Sequence, residues 1–340
     1  MISMKKIKVI ILMIIMCFVF VAPLKTVDAA DYISNEFNRN HIFTSYDKMY
    51  SEGKNLVIIQ TDDDCGPNEK GEYYNKIIID SITESGNVNK KEFNCENERT
   101  YAIKKEKSNI YTCNRKSNYK VIVQKRGLRG KIKASYPIRV NKKEYKITML
   151  NDIMIKGKKM YCVLDVTDKK SKKENTLIQC YDMRKKEVIS SKKIKEKGYF
   201  FYENNRLFGY SDNKINVYTL IGKKLSSKKL PKGETVVIGH LTHLNNVAYE
   251  YTFKGVDVNN GYIYYCNRNG IYRCNVNGNQ EFSLIYSGAN DSLFNPEYGE
   301  ERMLEHFKVL DNGDFYMIVD NYEHSKTAAY IYKQAESLGF

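Results

Sequence analysis

One strand pattern recurs six times along this 340-residue chain at a spacing close to fifty residues, and that spacing constrains the fold more than any other feature. Ile110-Tyr111-Thr112-Cys113-Asn114-Arg115 and Ile263-Tyr264-Tyr265-Cys266-Asn267-Arg268 agree at Ile, Tyr, Cys, Asn and Arg. Weaker copies centre on Ile58, Tyr161, Phe208 and Tyr316. The six anchors Ile58, Tyr111, Tyr161, Phe208, Tyr264 and Tyr316 lie 53, 50, 47, 56 and 52 residues apart. Short strands repeating at this period predict an array of four-stranded units.

A second strand follows each anchor, opening at Asn75, Asn118, Asn175, Asn213, Asn269 and Ala328. Asn tolerates the left-handed backbone of tight hairpins, and Asn269-Gly270 is the strongest short-range hairpin signal in the chain. Tyr, Ile and Val fill a pleated surface, and no stretch beyond residue 31 has a convincing helical period, although residues 297 to 306 have room for one short helix. The expected fold is all-β: a six-bladed β-propeller of four-stranded antiparallel blades. Its last unit supplies strands near 303–310, 314–319 and 328–333. The N-terminal run His41-Ile42-Phe43-Thr44-Ser45-Tyr46 is expected to complete that blade and close the ring. An irregular β-sandwich or an open array is the alternative.

The segment from Tyr262 to Gly278, with Tyr264, Tyr265, Asn269, Gly270 and Tyr272, resembles the tyrosine-rich blade of bacterial six-bladed TolB-like propellers, a group that includes secreted families of undefined function. One blade matches well and the others loosely across residues 40–340. The blades of that group commonly carry Ser or Thr where this chain has Cys. The resemblance implies a fold and no chemistry.

Lys5, Lys6 and Lys8 precede an apolar run from Val9 to Val21, and Val27-Asp28-Ala29 ends a short polar region on a small residue. This pattern predicts a signal peptide over residues 1–29 and a single propeller domain over 30–340, secreted or associated with the cell envelope, with no transmembrane anchor after cleavage. A retained anchor is the alternative, but the apolar run is short against the about 20 residues a span needs. Seven cysteines then remain: Cys65, Cys95, Cys113, Cys162, Cys180, Cys266 and Cys274. Cross-strand bridges are conceivable for Cys266 with Cys274 and for Cys162 with Cys180. Small buried hydrophobes are the simpler reading. No Cys-x-x-Cys spacing supports a redox motif or a zinc site.

Charge carries the functional expectation. The chain has net charge +15, yet residues 98 to 232 hold 37 Lys and Arg against 12 Asp and Glu, while the remainder is net acidic at −10. A closed ring built from such a chain is dipolar and suited to an anionic polymer or surface. Given the usual inner-to-outer strand order, Lys169, Lys170, Lys172 and Lys173 fall on one ring face, with Arg139, Lys142, Lys143, Lys146, Lys195 and Lys197 on links between units. These ten are the expected anion-contacting residues. The alternative is a solvated surface that keeps the chain soluble. Nucleic acid is a poor partner for an exported chain with no recognised nucleic-acid motif. An anionic wall or extracellular polymer, or a surface protein, suits the compartment better.

Catalytic patterns are thin. His240-Leu241-Thr242-His243 lacks the Glu of the zinc-protease helix, so no metal site is expected there. Asp62, Asp63 and Asp64, with Glu69 and Glu72, offer hard oxygen ligands for Ca²⁺ but depart from the EF-hand spacing. There is no Gly-x-Ser-x-Gly elbow. The chain has no Trp, which weakens a sialidase-like reading, although its 28 Tyr leave aromatic surface for a glycan. Asp291, Glu297, Glu300 and Glu301 lie in a long link and are either an acid–base set or solvated carboxylates. The expected function is a non-catalytic binding propeller. The alternatives are a polysaccharide hydrolase or lyase working from the central funnel, and a protein-docking scaffold.

Overall fold

The computed structural model describes residues 31–33, 48–62, 74–83, 87–96, 100–194, 196, 198–211, 213–232, 255–278, 280–288, 294, 302–321 and 326–332. These form strands and connections without a helix. The first strand is β1 (Asp31–Ile33). Four strands then make the first complete sheet: β2 (Lys48–Glu52), β3 (Asn55–Asp62), β4 (Tyr74–Ile82) and β5 (Val88–Glu96). The second sheet is β6 (Thr100–Glu106), β7 (Asn109–Ser117), β8 (Lys120–Gly127) and β9 (Ile132–Arg139). The third is β10 (Tyr145–Lys156), β11 (Lys159–Asp168), β12 (Glu174–Asp182) and β13 (Glu187–Ile194), and the fourth β14 (Tyr199–Glu203), β15 (Arg206–Ser211), β16 (Lys214–Tyr218) and β17 (Lys224–Lys229). The fifth is β18 (Gly255–Asn259), β19 (Tyr262–Asn267), β20 (Gly270–Asn275) and β21 (Ser283–Ser287). The last holds β22 (Arg302–Val309), β23 (Phe315–Asn321) and β24 (Lys326–Tyr332), with β1 added outside β24.

All neighbours within a sheet are antiparallel, and the sheets are the four-stranded blades of a β-propeller. Each anchor lies on the second strand of its sheet, and each following segment is the third. The first strands of neighbouring sheets touch, as in β6 with β10, β10 with β14, and β18 with β22, so they form the inner ring.

The second strands are buried on both faces, which explains why their sequences run continuously apolar instead of alternating. On β3, Val57 and Ile59 pack with Ala102 and Ile110 of the second sheet, while Leu56 and Ile58 pack with Leu310 and Tyr316 of the last. On β19, Ile263 and Tyr265 face Phe208 and Val217 of the fourth sheet, while Tyr264 and Cys266 face Phe315 and Met317 of the last. Burying one such side chain is worth about 1.5–3 kcal/mol, so the apolar seams between sheets are the main source of stability.

Several expectations are corrected in detail. The strand added to the last sheet is Asp31–Ile33, paired as Asp31 with Ile331 and Ile33 with Ala329; His41–Tyr46 lies outside the described residues. Residues 302–306 of the expected short helix are strand, because β22 pairs with β23 through Arg302 and Asn321; residues 297–301 lie outside the described residues. Among the described residues the non-glycine left-handed positions are Lys107, Lys172, Lys186, Asn204, Asn205 and Asn260, and none of the five strand-opening asparagines is among them. Asn75, Asn175 and Asn269 donate side-chain hydrogen bonds instead; Asn75 is buried and donates Nδ2 to Thr100 O at 3.0 Å, joining the first two sheets.

Gly270 is also not a turn residue, since it pairs with Asn267 around a two-residue loop of Arg268 and Asn269. Its φ is +139°, and a Cβ there would lie 2.0 Å from Tyr286 O, so glycine is required by the close approach of β21. The cysteine pairs are not opposed: Cys162 pairs with Gln179, Cys180 with Tyr161, Cys266 with Ile271 and Cys274 with Ile263. Cys95, Cys113, Cys162, Cys180, Cys266 and Cys274 are buried free thiols, and Cys65 lies outside the described residues.

Four of the outer strands carry a β-bulge that skips one residue: Lys133 on β9, Ile189 on β13, Leu225 on β17 and Ile285 on β21. A bulge twists an edge strand away from further pairing. The outer strand β5 has none and instead carries Lys90, Lys91 and Glu92 exposed, the other common device for blunting an edge.

Candidate functional site

Because each sheet runs from inner to outer strand with antiparallel neighbours, its second-to-third connection and its link to the next sheet emerge on one ring face. The other two hairpins emerge on the opposite face. The first face carries the β11–β12 connection with Lys169, Lys170, Lys172 and Lys173, and the β9–β10 link with Lys142 and Lys143 between Arg139 and Lys146.

The β11–β12 connection is held by its own backbone and by one carboxylate. Asp168 N donates to Lys173 O at 2.9 Å and Lys172 N to Asp168 O at 2.8 Å. Asp168 Oδ1 accepts from Lys170 N at 3.0 Å and Ser171 N at 2.9 Å, and Lys193 Nζ lies 3.6 Å from Oδ2. The Ser171 amide first, helped by the Ser171 hydroxyl, the Lys170 amide and Lys193, holds this carboxyl below the usual carboxylate range against a small desolvation cost. Lys172 sits at φ +58°, a left-handed turn position.

The connection leans on the second sheet. Lys169 N donates to Glu144 O at 2.8 Å, and Lys169 Nζ lies 4.6 Å from the centroid of the Tyr119 ring, which closes the β7–β8 turn. The Lys169 hydrogen bond, with the charges of Lys169, Lys146 and Lys142, holds the hydroxyl of the half-buried Tyr119 below the ordinary phenol range against slight desolvation. Of the expected lysines, Lys169 therefore contacts this tyrosine directly. Lys170, Lys172 and Lys173 stand exposed along the hairpin, and Arg139 and Lys143 are exposed on the adjoining link. Lys195 and Lys197 lie outside the described residues, as do Asp63, Asp64, Glu69, Glu72, His240, His243, Asp291, Glu297, Glu300 and Glu301. Asp62 ends β3. Among the described residues no cluster of three or more His, Cys, Asp or Glu could hold a metal ion, and no helix is long and apolar enough to cross a membrane.

Sequence reasoning missed Tyr119, whose only signal is its place in an Asn-Tyr hairpin turn, and it missed the charge pairing around the axis. The inner strands bring Lys48, Lys104, Asp152, Asp257 and Lys308 inward. Lys48 Nζ donates to Asn151 O at 3.3 Å and to Tyr199 Oη at 3.2 Å, so β2 reaches both β10 and β14. Lys104 Nζ donates to Tyr202 O at 3.3 Å and lies 4.0 Å from Asp152 Oδ2. Asp152 in turn accepts from Tyr202 N at 2.7 Å and from Ile153 N at 2.8 Å. Asp257 Oδ1 accepts from Lys308 Nζ and Oδ2 from Val309 N, both at 2.8 Å. Burial disfavours the Lys308 ammonium, but Asp257, with Glu203 and Asp311, more than offsets this and holds its pKa above the ordinary lysine value. Both inner-strand carboxylates thus clamp neighbouring sheets together.

The fold is a β-propeller with exposed lysines on the connections of its second and third sheets. No family model matches the chain, and no curated protein matches it. Among solved structures it is similar to the β-propeller domain of the Trilobed protease from Pyrococcus furiosus, at 14% identity and TM-score 0.42, covering 86% of this chain and 82% of that one. It is also similar to the acylaminoacyl peptidase of Pyrococcus horikoshii, at 13% identity and TM-score 0.43, covering 88% of this chain but only 46% of the peptidase. A third likeness is to AztD from Citrobacter koseri, at 11% identity and TM-score 0.36, covering 71% and 60%.

Proposed function

We propose that this chain is a non-catalytic binding propeller, exported to the cell envelope, that docks on an anionic polymer through the connection face of its second and third sheets. The observation that carries the reading is the Lys169 N–Glu144 O hydrogen bond, 2.8 Å long, which ties the β11–β12 connection to the β9–β10 link and so sets the exposed Lys170, Lys172 and Lys173 beside the exposed Lys142, Lys143 and Lys146. Lysines gathered this closely raise the local potential, which steers polyanions and weakens as salt screens it. The scaffold in this reading is a six-bladed, TolB-like ring closed on itself. Six four-stranded sheets support it, as does the packing of Leu56 and Ile58 of the first sheet against Leu310 and Tyr316 of the last. The engagement of Asp152 and Asp257 in inter-sheet clamps favours binding over funnel chemistry.

The test is retention of residues 30–340 on isolated anionic cell-wall material. Retention is expected at roughly 50 mM salt and lost by roughly 500 mM, where the Debye length is several-fold shorter. Absence of retention at low salt would refute the reading.

A further inference from the structure

A cavity of about 140 Å³ opens beside the lysine hairpin, lined by Thr148, Asp165, Glu174, Asn175, Thr176 and Glu196, with Val166 and Gly198. Its volume equals about four or five waters of liquid, enough for much of one sugar ring. The hairpin and the cavity are continuous. Glu174 and Asn175 directly follow Lys173, and Asn175 Nδ2 donates to Lys173 O at 3.0 Å.

The lining is a set of directional acceptors and donors. Thr176 Oγ1 donates to Asp165 Oδ1 at 3.1 Å, and the Thr148 and Thr167 hydroxyls lie 3.4 Å apart. Burial pushes the Asp165 carboxyl up, opposed by hydrogen bonds from Asn151 and Thr176 and reinforced by Glu174. Lys224 Nζ lies 3.4 Å from Glu196 Oε1. At Gly198 a Cβ would lie 2.3 Å from Tyr210 O, so the link comes close and leaves that wall bare.

Carboxylates inside the cavity repel phosphate or carboxylate groups, and the surrounding lysines disfavour a free cation. Hydroxyls, an amide and carboxylates around a small polar space suit the vicinal hydroxyls of a sugar ring, which both donate and accept. We propose that this cavity is a glycan subsite, so that the ligand of the basic face is an acidic polysaccharide whose ring hydroxyls enter the cavity while its acid groups meet Lys170, Lys172 and Lys173. This rests on the docking reading above and adds the ligand class.

The experiment measures affinity of the purified chain for two probes, polygalacturonate fragments and inorganic polyphosphate, by titration calorimetry at low salt. Thr148 is exposed on a β10 bulge, so Thr148→Phe fills the cavity mouth without disturbing the core. That variant is expected to bind polygalacturonate about tenfold more weakly and polyphosphate within about twofold of wild type. Thr148→Val, which removes one hydroxyl, is expected to lose about threefold for polygalacturonate alone, and it decides the matter if the larger residue prevents folding. Equal effects on both probes, or none on either, would overturn the subsite. Binding of polyphosphate but not polygalacturonate by the wild-type chain would overturn the subsite and leave the docking reading standing; binding of neither would overturn both.

Discussion

Replacing Asp257 with Ala removes the clamp between the fifth and last sheets. The carboxylate serves Lys308 Nζ and Val309 N together, each at 2.8 Å, and the side chains of Asp257 and Lys308 are 10% and 12% exposed. Breaking a buried pair from one side costs about 3–5 kcal/mol, because the remaining charge has lost its partner. The Val309 amide adds an unsatisfied donor worth about 1–3 kcal/mol. The two costs share one carboxylate and do not add in full. Lys308 is long enough to turn toward solvent, which recovers part of the first. The expected loss is therefore about 3–5 kcal/mol in urea unfolding. Lys308→Met leaves Asp257 its amide hydrogen bond, and the double variant should be less destabilised than the two single losses combined, with a coupling of at least about 1.5 kcal/mol. Because the Lys308 pKa is raised, its contribution is fully present below the ordinary value of 10.5 and is lost as pH rises through the folded value above it. The wild-type advantage over Lys308→Met should thus be flat through neutral pH and shrink in alkali. A coupling below about 0.5 kcal/mol would refute the clamp.

Gly270→Ala should cost well over the about 1 kcal/mol of an ordinary glycine replacement, since the added methyl meets Tyr286 O; an unchanged unfolding midpoint would contradict that geometry. Asp165 has a carboxyl raised above its ordinary 3.8, so its contribution is present below that pH and lost as pH rises through the folded value. Asp165→Asn should remove this slope, and parallel stability curves for variant and wild type between pH 3 and 7 would show the carboxyl to be unperturbed. Burial pushes the Cys113 thiol up to about 12 and also raises those of Cys162 and Cys266, so a thiol reagent at pH 8 should label these three only as fast as the chain unfolds. Rapid labelling of peptides containing them in the folded protein would contradict their burial.

The strand repeat was legible because second strands are buried on both faces: Leu56-Val57-Ile58-Ile59 is apolar at every position, a signal that survives without side-chain detail. Inner strands were harder to read. Asp152, Asp257 and Lys308 are charged residues in strands, and only tertiary pairing reveals that they join sheets. Turn chemistry misled where a residue type has two uses. Asn75 suggested a left-handed turn but is a buried inter-sheet donor, and Gly270 suggested a turn centre but answers the approach of Tyr286. Of the binding face, the lysines were legible as a charge excess and as connections. Tyr119 was not, because nothing in its local sequence indicates that Lys169 arrives over its ring from the β11–β12 connection. The polar cavity was equally hidden, since its lining comes from β10, β11, β12 and the link into β14.

In the docking reading proposed above, a particular face, not net charge, binds the anionic polymer. The most direct measurement compares two variants that lose the same charge from the same sheet. One replaces Lys169, Lys170, Lys172 and Lys173 with Gln. The other replaces Lys158, Lys159, Lys185 and Lys186, which are exposed at the β10–β11 and β12–β13 turns on the opposite face. Affinity for cell-wall polymer is then followed against salt. The first variant is expected to lose most of its affinity and to flatten the salt dependence, while the second stays close to wild type. Equal losses in the two variants would contradict that reading.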